Sequence, residues 1–100
     1  QPMAATDLLP VRRDFAFVLD EAVPAGDVMR AAAGADKTLI ADVSVFDVFA
    51  GKSLGPGKKS VAIEVTLQPK ERTLTDADID AVARKVIAEV KRVTGGEIRG

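Results

Sequence analysis

The chain contains no cysteine, histidine, asparagine, tyrosine or tryptophan in its 100 residues. Without cysteine there is no disulfide framework, no thiolate metal site and no cysteine nucleophile. Without histidine the chain lacks the usual general base near neutral pH and the commonest zinc ligand. These absences count against a free-standing hydrolase or metalloenzyme. No apolar run approaches the ~18 residues of a membrane span, so none is expected. An excess of positive charge is also missing. Fourteen Lys and Arg stand against 15 Asp and Glu, for a net charge of -1. That is not the strongly basic balance of a dedicated nucleic-acid binder, so any such binding must use a local patch.

What is present suits one small globular domain. The chain starts at Gln1 with no charged-then-apolar leader, which predicts a segment of a longer chain without a signal peptide. Residues 1–9 lack periodicity and read as a linker, leaving residues 10–100 as the domain.

Alternation predicts a first strand over 14–19, with Phe15, Phe17 and Leu19 on one face. Pro24 suits the first turn of a helix that follows, because a proline there gives up no helical hydrogen bond. Val28, Met29 and Ala32 form its apolar stripe, and Gly34 is a natural stop. The second strand runs over 39–49 with a slip in phase: Val43 and Val45, then Phe46 and Val48. A bulge near Val45 is expected to turn both pairs toward the core. A Gly/Pro loop over 51–58 leads to a third strand over 59–68, with Val61, Ile63, Val65 and Leu67 inward and Ser60, Ala62, Glu64 and Thr66 outward.

Thr75 and Asp78 form a capping box for a long helix, whose Ile79, Val82, Ala83, Val86, Ile87 and Val90 repeat at helical spacing. Its acids cluster at the start and Lys91 and Arg92 at the end, complementing the helix dipole. Gly95 and Gly96 end it, and Ile98 sits in a short last strand. The order β-α-β-β-α-β predicts an α+β, ferredoxin-like sandwich. Its antiparallel sheet has order 4-1-3-2, with two helices on one face and the other face open.

Two motif look-alikes fail. Residues 51–60 resemble a phosphate loop, but Lys52 stands where its first glycine is required, Lys59 where Ser or Thr should bind magnesium, and a strand follows instead of a helix. Asp76, Asp78 and Asp80 resemble a calcium loop, but Ala81 replaces the turn glycine and Ile87 the bidentate Glu.

The hairpin is more informative. Pairing Phe46 with Val61, both inward, sets Asp47 opposite Ser60 and Phe49 opposite Lys58. Asp47, Phe49 and Ser60 then gather on the open face. A carboxylate accepts from the N1–H and 2-amino group of a guanine, a hydroxyl donates or accepts, and a ring offers a stacking surface. The plainer reading is a solvated hairpin end. Arg12 and Arg13 at the start of strand one and Arg99 at the end of strand four are expected to form a small basic patch for phosphates, or simply surface charge.

Five short motifs occur in order: Pro10-Val11-Arg12-Arg13-Asp14-Phe15-Ala16, Val45-Phe46-Asp47-Val48-Phe49, Gly57-Lys58-Lys59-Ser60-Val61-Ala62, Glu71-Arg72-Thr73-Leu74-Thr75-Asp76 and Gly96-Glu97-Ile98-Arg99-Gly100. Together they resemble the ferredoxin-fold anticodon-binding domain at the C-terminus of bacterial phenylalanyl-tRNA synthetase β subunits. The resemblance covers residues 10–100. It implies a non-catalytic, cytoplasmic module that meets the anticodon stem-loop of tRNA-Phe.

The resemblance further implies an (αβ)2 parent using ATP and magnesium, with the active site in the α subunit and no cofactor in this segment. Besides that RNA, its partners would be the rest of the β subunit and the α subunit. Contacts to the first anticodon guanine map onto Asp47, Ser60 and Arg99. Phe49 stands where the family often has Tyr, and Arg13 and Lys58 join the RNA-binding set. Arg99 is expected at the far end of the sheet from Asp47, against a neighbouring nucleotide unless the last strand is short or bent.

Two other classes share the plan. Ferredoxin-like amino-acid sensors bind at a glycine-bearing turn after strand one, and here that turn is Asp20-Glu21-Ala22-Val23-Pro24. An acylphosphatase-like site uses Arg and Asn, and the chain has no Asn. Fold alone separates none of the three.

Overall fold

The computed structural model describes residues 9–69 and 73–99. The expected linker, apart from Leu9, lies outside them, as do Glu71 and Arg72 of the fourth motif and Gly100 of the fifth. The elements are β1 (Val11–Asp20), α1 (Ala25–Ala35), β2 (Ile40–Phe49), a 3-10 turn (Lys52–Leu54), β3 (Lys58–Leu67), α2 (Asp76–Thr94) and β4 (Glu97–Ile98). One sheet of order β2-β3-β1-β4 holds all four strands, and every pairing is antiparallel. This is the expected order read from the other edge.

One helix, α1, begins and ends differently from expectation. Pro24 sits just ahead of α1 as its N-cap, where a missing N–H also costs nothing. Gly34 does not stop the helix, which runs on to Ala35. Asp36 ends it. Its carboxylate accepts from the backbone N–H groups of Thr38 and Leu39, each at 3.1 Å, and from Lys85 Nζ of α2 at 3.2 Å. Burial pushes its carboxyl up. The Leu39 amide, Lys85 and the Thr38 amide together outweigh that and hold it below its ordinary value. The contact ties the α1–β2 turn to the second helix.

The capping box of α2 forms as expected. Asp78 N–H donates to Thr75 Oγ1 at 3.1 Å, and Thr75 N–H to Asp78 Oδ2 at 2.9 Å. Gly95 closes the helix in the left-handed region, at φ 76°, a conformation that costs glycine little. Val82, Val86 and Val90, spaced by four, bury one stripe of α2. Val28, Ala31 and Ala32 do the same for α1. Both stripes cover Phe17, Leu19, Val61, Ile63, Val65 and Leu67 on the inner sheet face. Burying each of the larger side chains stabilises the fold by about 1.5–3 kcal/mol.

Among the described residues no helix lies over the other sheet face. It is the surface that the alternating partners of those core residues must occupy.

Candidate functional site

Register decides what stands together on the open face. β1 pairs with β3 through Asp14–Glu64, Ala16–Ala62, Val18–Ser60 and Asp20–Lys58. β2 pairs with β3 through Ser44–Glu64, Asp47–Ala62 and Phe49–Ser60. β4 pairs with β1 through Val18–Glu97. The chain continues beyond Ile98, so that Arg99 N–H donates to Ala16 O at 2.6 Å.

Two rows therefore cross the face. One reads Asp47, Ala62, Ala16, Arg99, and the next reads Phe49, Ser60, Val18, Glu97.

This corrects the expected hairpin register. The bulge forms at the predicted place, between Val45 and Asp47, but it consumes Phe46 as the unpaired residue. Val48, not Phe46, lies opposite Val61. Asp47 is opposite Ala62 rather than Ser60, and Phe49 is opposite Ser60 rather than Lys58. Asp47 and Ser60 become diagonal neighbours on one face. Phe46 does not turn inward: it is 58% exposed, and Val48 too remains half exposed. The helices do not reach this corner of the edge strand.

The expected separation of Arg99 from Asp47 is also corrected. β4 is only two residues long, and its pairing with Phe17 and Val18 brings Arg99 level with Asp47. Three strand spacings, roughly 14 Å of backbone, separate the two. Between them lie only the methyl groups of Ala62 and Ala16.

The basic patch does not assemble. Arg12 lies two rows away, with its guanidinium 3.9 Å from Glu64. Arg13 belongs to the opposite face and lines the cleft above α2 with Phe15, Val82 and Val86. Lys58 is on the open face at the hairpin end, donating to Asp20 at 2.8 Å.

The remaining site residues have distinct settings. Ser60 is 5% exposed between Phe49 and Val18, and its hydroxyl has no hydrogen-bond partner among the described residues. It is the one buried polar residue there, and no sealed polar atom is left unpaired. Phe49 is 46% exposed, and its ring lies over Gly51. A Cβ at that glycine would meet the ring at 2.7 Å, so the position admits no side chain without moving it.

The charge of the face is acidic. Arg12, Lys58 and Arg99 stand against Asp14, Asp20, Asp42, Asp47, Glu64 and Glu97 among the described residues. A face of this sign offers few cations to neutralise phosphates. Sequence reasoning missed Ala16 and Ala62, which make the floor of the site. It also missed that Phe46 is outside. The signal for the alanines was their size: the third strand's outward residues shrink at Ala62, where Ala16 is the matching small residue of β1.

Among the described residues no group of three or more acidic or sulfur and imidazole side chains is placed to hold a metal. The 51–58 loop opens into a strand and offers no helix N-terminus to a nucleotide. The residues present do not fit ATP with magnesium. No helix among them is long and apolar enough to cross a membrane.

The architecture is that of an open-faced ferredoxin-like binding module, with a polar row on the uncovered sheet. Residues 8–99 match the ferredoxin-fold anticodon binding domain, and the chain belongs to that family. It is 61% identical over 90 residues to the phenylalanine–tRNA ligase β subunit of Bradyrhizobium diazoefficiens. It is 59% identical over 91 residues to that of Rhodopseudomonas palustris, and 56% over 98 residues to that of Paramagnetospirillum magneticum. These matches cover 90%, 91% and 98% of the chain but only 11 to 12% of each relative's length.

Proposed function

We propose that the chain binds the anticodon stem-loop of tRNA-Phe through its open sheet face, as a non-catalytic module of a phenylalanine–tRNA ligase β subunit. The parent would be a cytoplasmic (αβ)2 enzyme, with ATP and magnesium used in the α subunit. The observation that supports this most is the row Asp47, Ala62, Ala16, Arg99. A carboxylate and a guanidinium flank a floor of two methyl groups, which leaves room above the sheet for a planar base.

Asp47 would accept the N1–H and 2-amino protons of the first anticodon guanine. Adenine has no proton at N1 and no 2-amino group. Arg99 would approach the same base, or its phosphate, from the other edge. Ser60 would offer its unpartnered hydroxyl from the next row, and Phe49 its ring for stacking. Lys58 would lie at the margin of the site, while Arg13, on the other face, would reach only RNA that wraps past the edge of β1.

The test is aminoacylation by the complete enzyme of tRNA-Phe bearing guanine or adenine at the first anticodon position. Asp47→Ala should lower discrimination by about 1–3 kcal/mol, five- to 150-fold. Equal losses on both substrates, or none, would show that Asp47 does not read the base.

A further inference from the structure

The chain has four aromatic side chains, all Phe. Phe17 is wholly buried, and Phe15 packs against the core beside it, with ring centroids 6.1 Å apart. The other two, Phe46 and Phe49, are the large exposed aromatics, and they bracket Asp47 on an edge strand. Phe46 is the residue released by the bulge. Phe46 and Asp47 together occupy the stretch of β2 opposite Ala62, where a regular ladder has room for one residue. A bulge is a device for re-aiming a side chain beside a site. Here it takes an aromatic ring out of the strand's alternation and leaves it in solvent next to the carboxylate.

We infer that Phe46 is a second stacking platform, which takes the unpaired nucleobase adjoining the one that Asp47 reads. This inference rests on the reading of the open face given above. Phe46 and Phe49 are three residues apart, but the bulge gives Phe46 and Asp47 a single ladder position, so the two lie about two steps apart, roughly 7 Å along the strand. Two adjoining bases splayed apart, as single-stranded RNA is commonly held, can each lie against its own ring. Phe46 has no hydrogen-bonding group, so its platform tolerates any base. The adjoining carboxylate of Asp47 favours a base over a phosphate at this point.

The experiment uses the full β subunit assembled with its α subunit. Phe46→Ala and Phe46→Leu should each lower kcat/KM for tRNA-Phe by roughly five- to 150-fold, and Phe46→Tyr should keep it near wild type. The loss should be equal with guanine or adenine at the first anticodon position. A tRNA lacking the base at one of the two nucleotides flanking that position should show the same loss, and on it Phe46→Ala should have no further effect.

A Phe46→Leu enzyme as active as wild type would overturn the inference. So would a Phe46→Ala penalty that persists undiminished on both abasic tRNAs, or one that appears only as failure of the subunits to assemble on gel filtration. If Asp47→Ala leaves base discrimination untouched while the abasic coupling to Phe46 holds, the guanine reading fails and the stacking platform stands.

Discussion

The two faces of the sheet are made by the same strands, one residue out of phase, and they are built to different rules. On the covered face β3 presents Val61, Ile63, Val65 and Leu67, all buried beneath α1 and α2. On the open face the same strand presents Ser60, Ala62, Glu64 and Thr66. The covered face is uniform and apolar, and any residue of similar size and shape would serve it. The open face is uneven: two alanines at its centre, a buried serine, an excess of carboxylates and one Arg level with one Asp. Packing does not require that unevenness. Substitutions should therefore separate cleanly, with stability lost on one side and recognition on the other.

Ile63→Ala should break the covered face most severely, by about 2–5 kcal/mol, because it leaves a cavity under both helices. In a domain of this size that is a large share of the total stability. Denaturant unfolding of the domain measures it, and a loss below 1 kcal/mol would mean the two faces are not energetically distinct. Asp47→Ala comes next. Its cost of about 1–3 kcal/mol should appear in base discrimination, while the unfolding midpoint moves by the equivalent of less than ~0.5 kcal/mol.

Asp36→Ala tests the join between helices and sheet. At pH 7 it should cost roughly 1–2 kcal/mol, since two backbone N–H groups and Lys85 lose their acceptor. Leu39 N–H, Lys85 and Thr38 N–H hold this carboxyl below its ordinary value against burial, so folding favours the ionised form. Its contribution is complete above the ordinary carboxylate range near pH ~4 and is lost as pH falls through the lower folded value. The difference between wild type and Asp36→Ala should therefore shrink in acid; a constant difference from pH 7 to pH 2 would contradict the assignment.

The smallest effect belongs to Arg12→Ala. Its exposed contact with Glu64, at 3.9 Å, should contribute less than ~0.5 kcal/mol to stability. A final measurement sharpens the charge contrast. With so acidic a face, tRNA binding should depend weakly on salt, with a log–log slope of about -2 to -4 for two to four phosphate contacts. A slope near -8 would reveal a basic surface elsewhere.

The element order, the capping box of α2, the inward residues of β3 and the place of the bulge were all legible in the residues. Each is set by local periodicity or by a contact between near neighbours in the chain. The bulge's outcome was not legible. Apolar Phe46 and Val48 follow the rule for core residues, but the bulge takes Phe46 out of the alternation beside Asp47, and Val48, inward in register, stays half exposed near the end of the edge strand. Arg13 was misplaced for a related reason. Adjacent residues on a strand point to opposite faces, and a cluster of cations in sequence is not a patch in space.

By itself the sequence determined most of the residues that lie inside the sandwich, Phe46 and Val48 excepted, and which functional groups are available: a carboxylate, a hydroxyl, an exposed ring and an Arg after the last strand, with no His or Cys for other chemistry. Tertiary structure alone decided which of these meet. One unpaired residue in β2 shifted every later pair on that strand, and a two-residue β4 set Arg99 beside Ala16 instead of at the far end of the sheet. Register between strands distant in sequence is a property of the whole ladder, and a slip of one residue exchanges the faces.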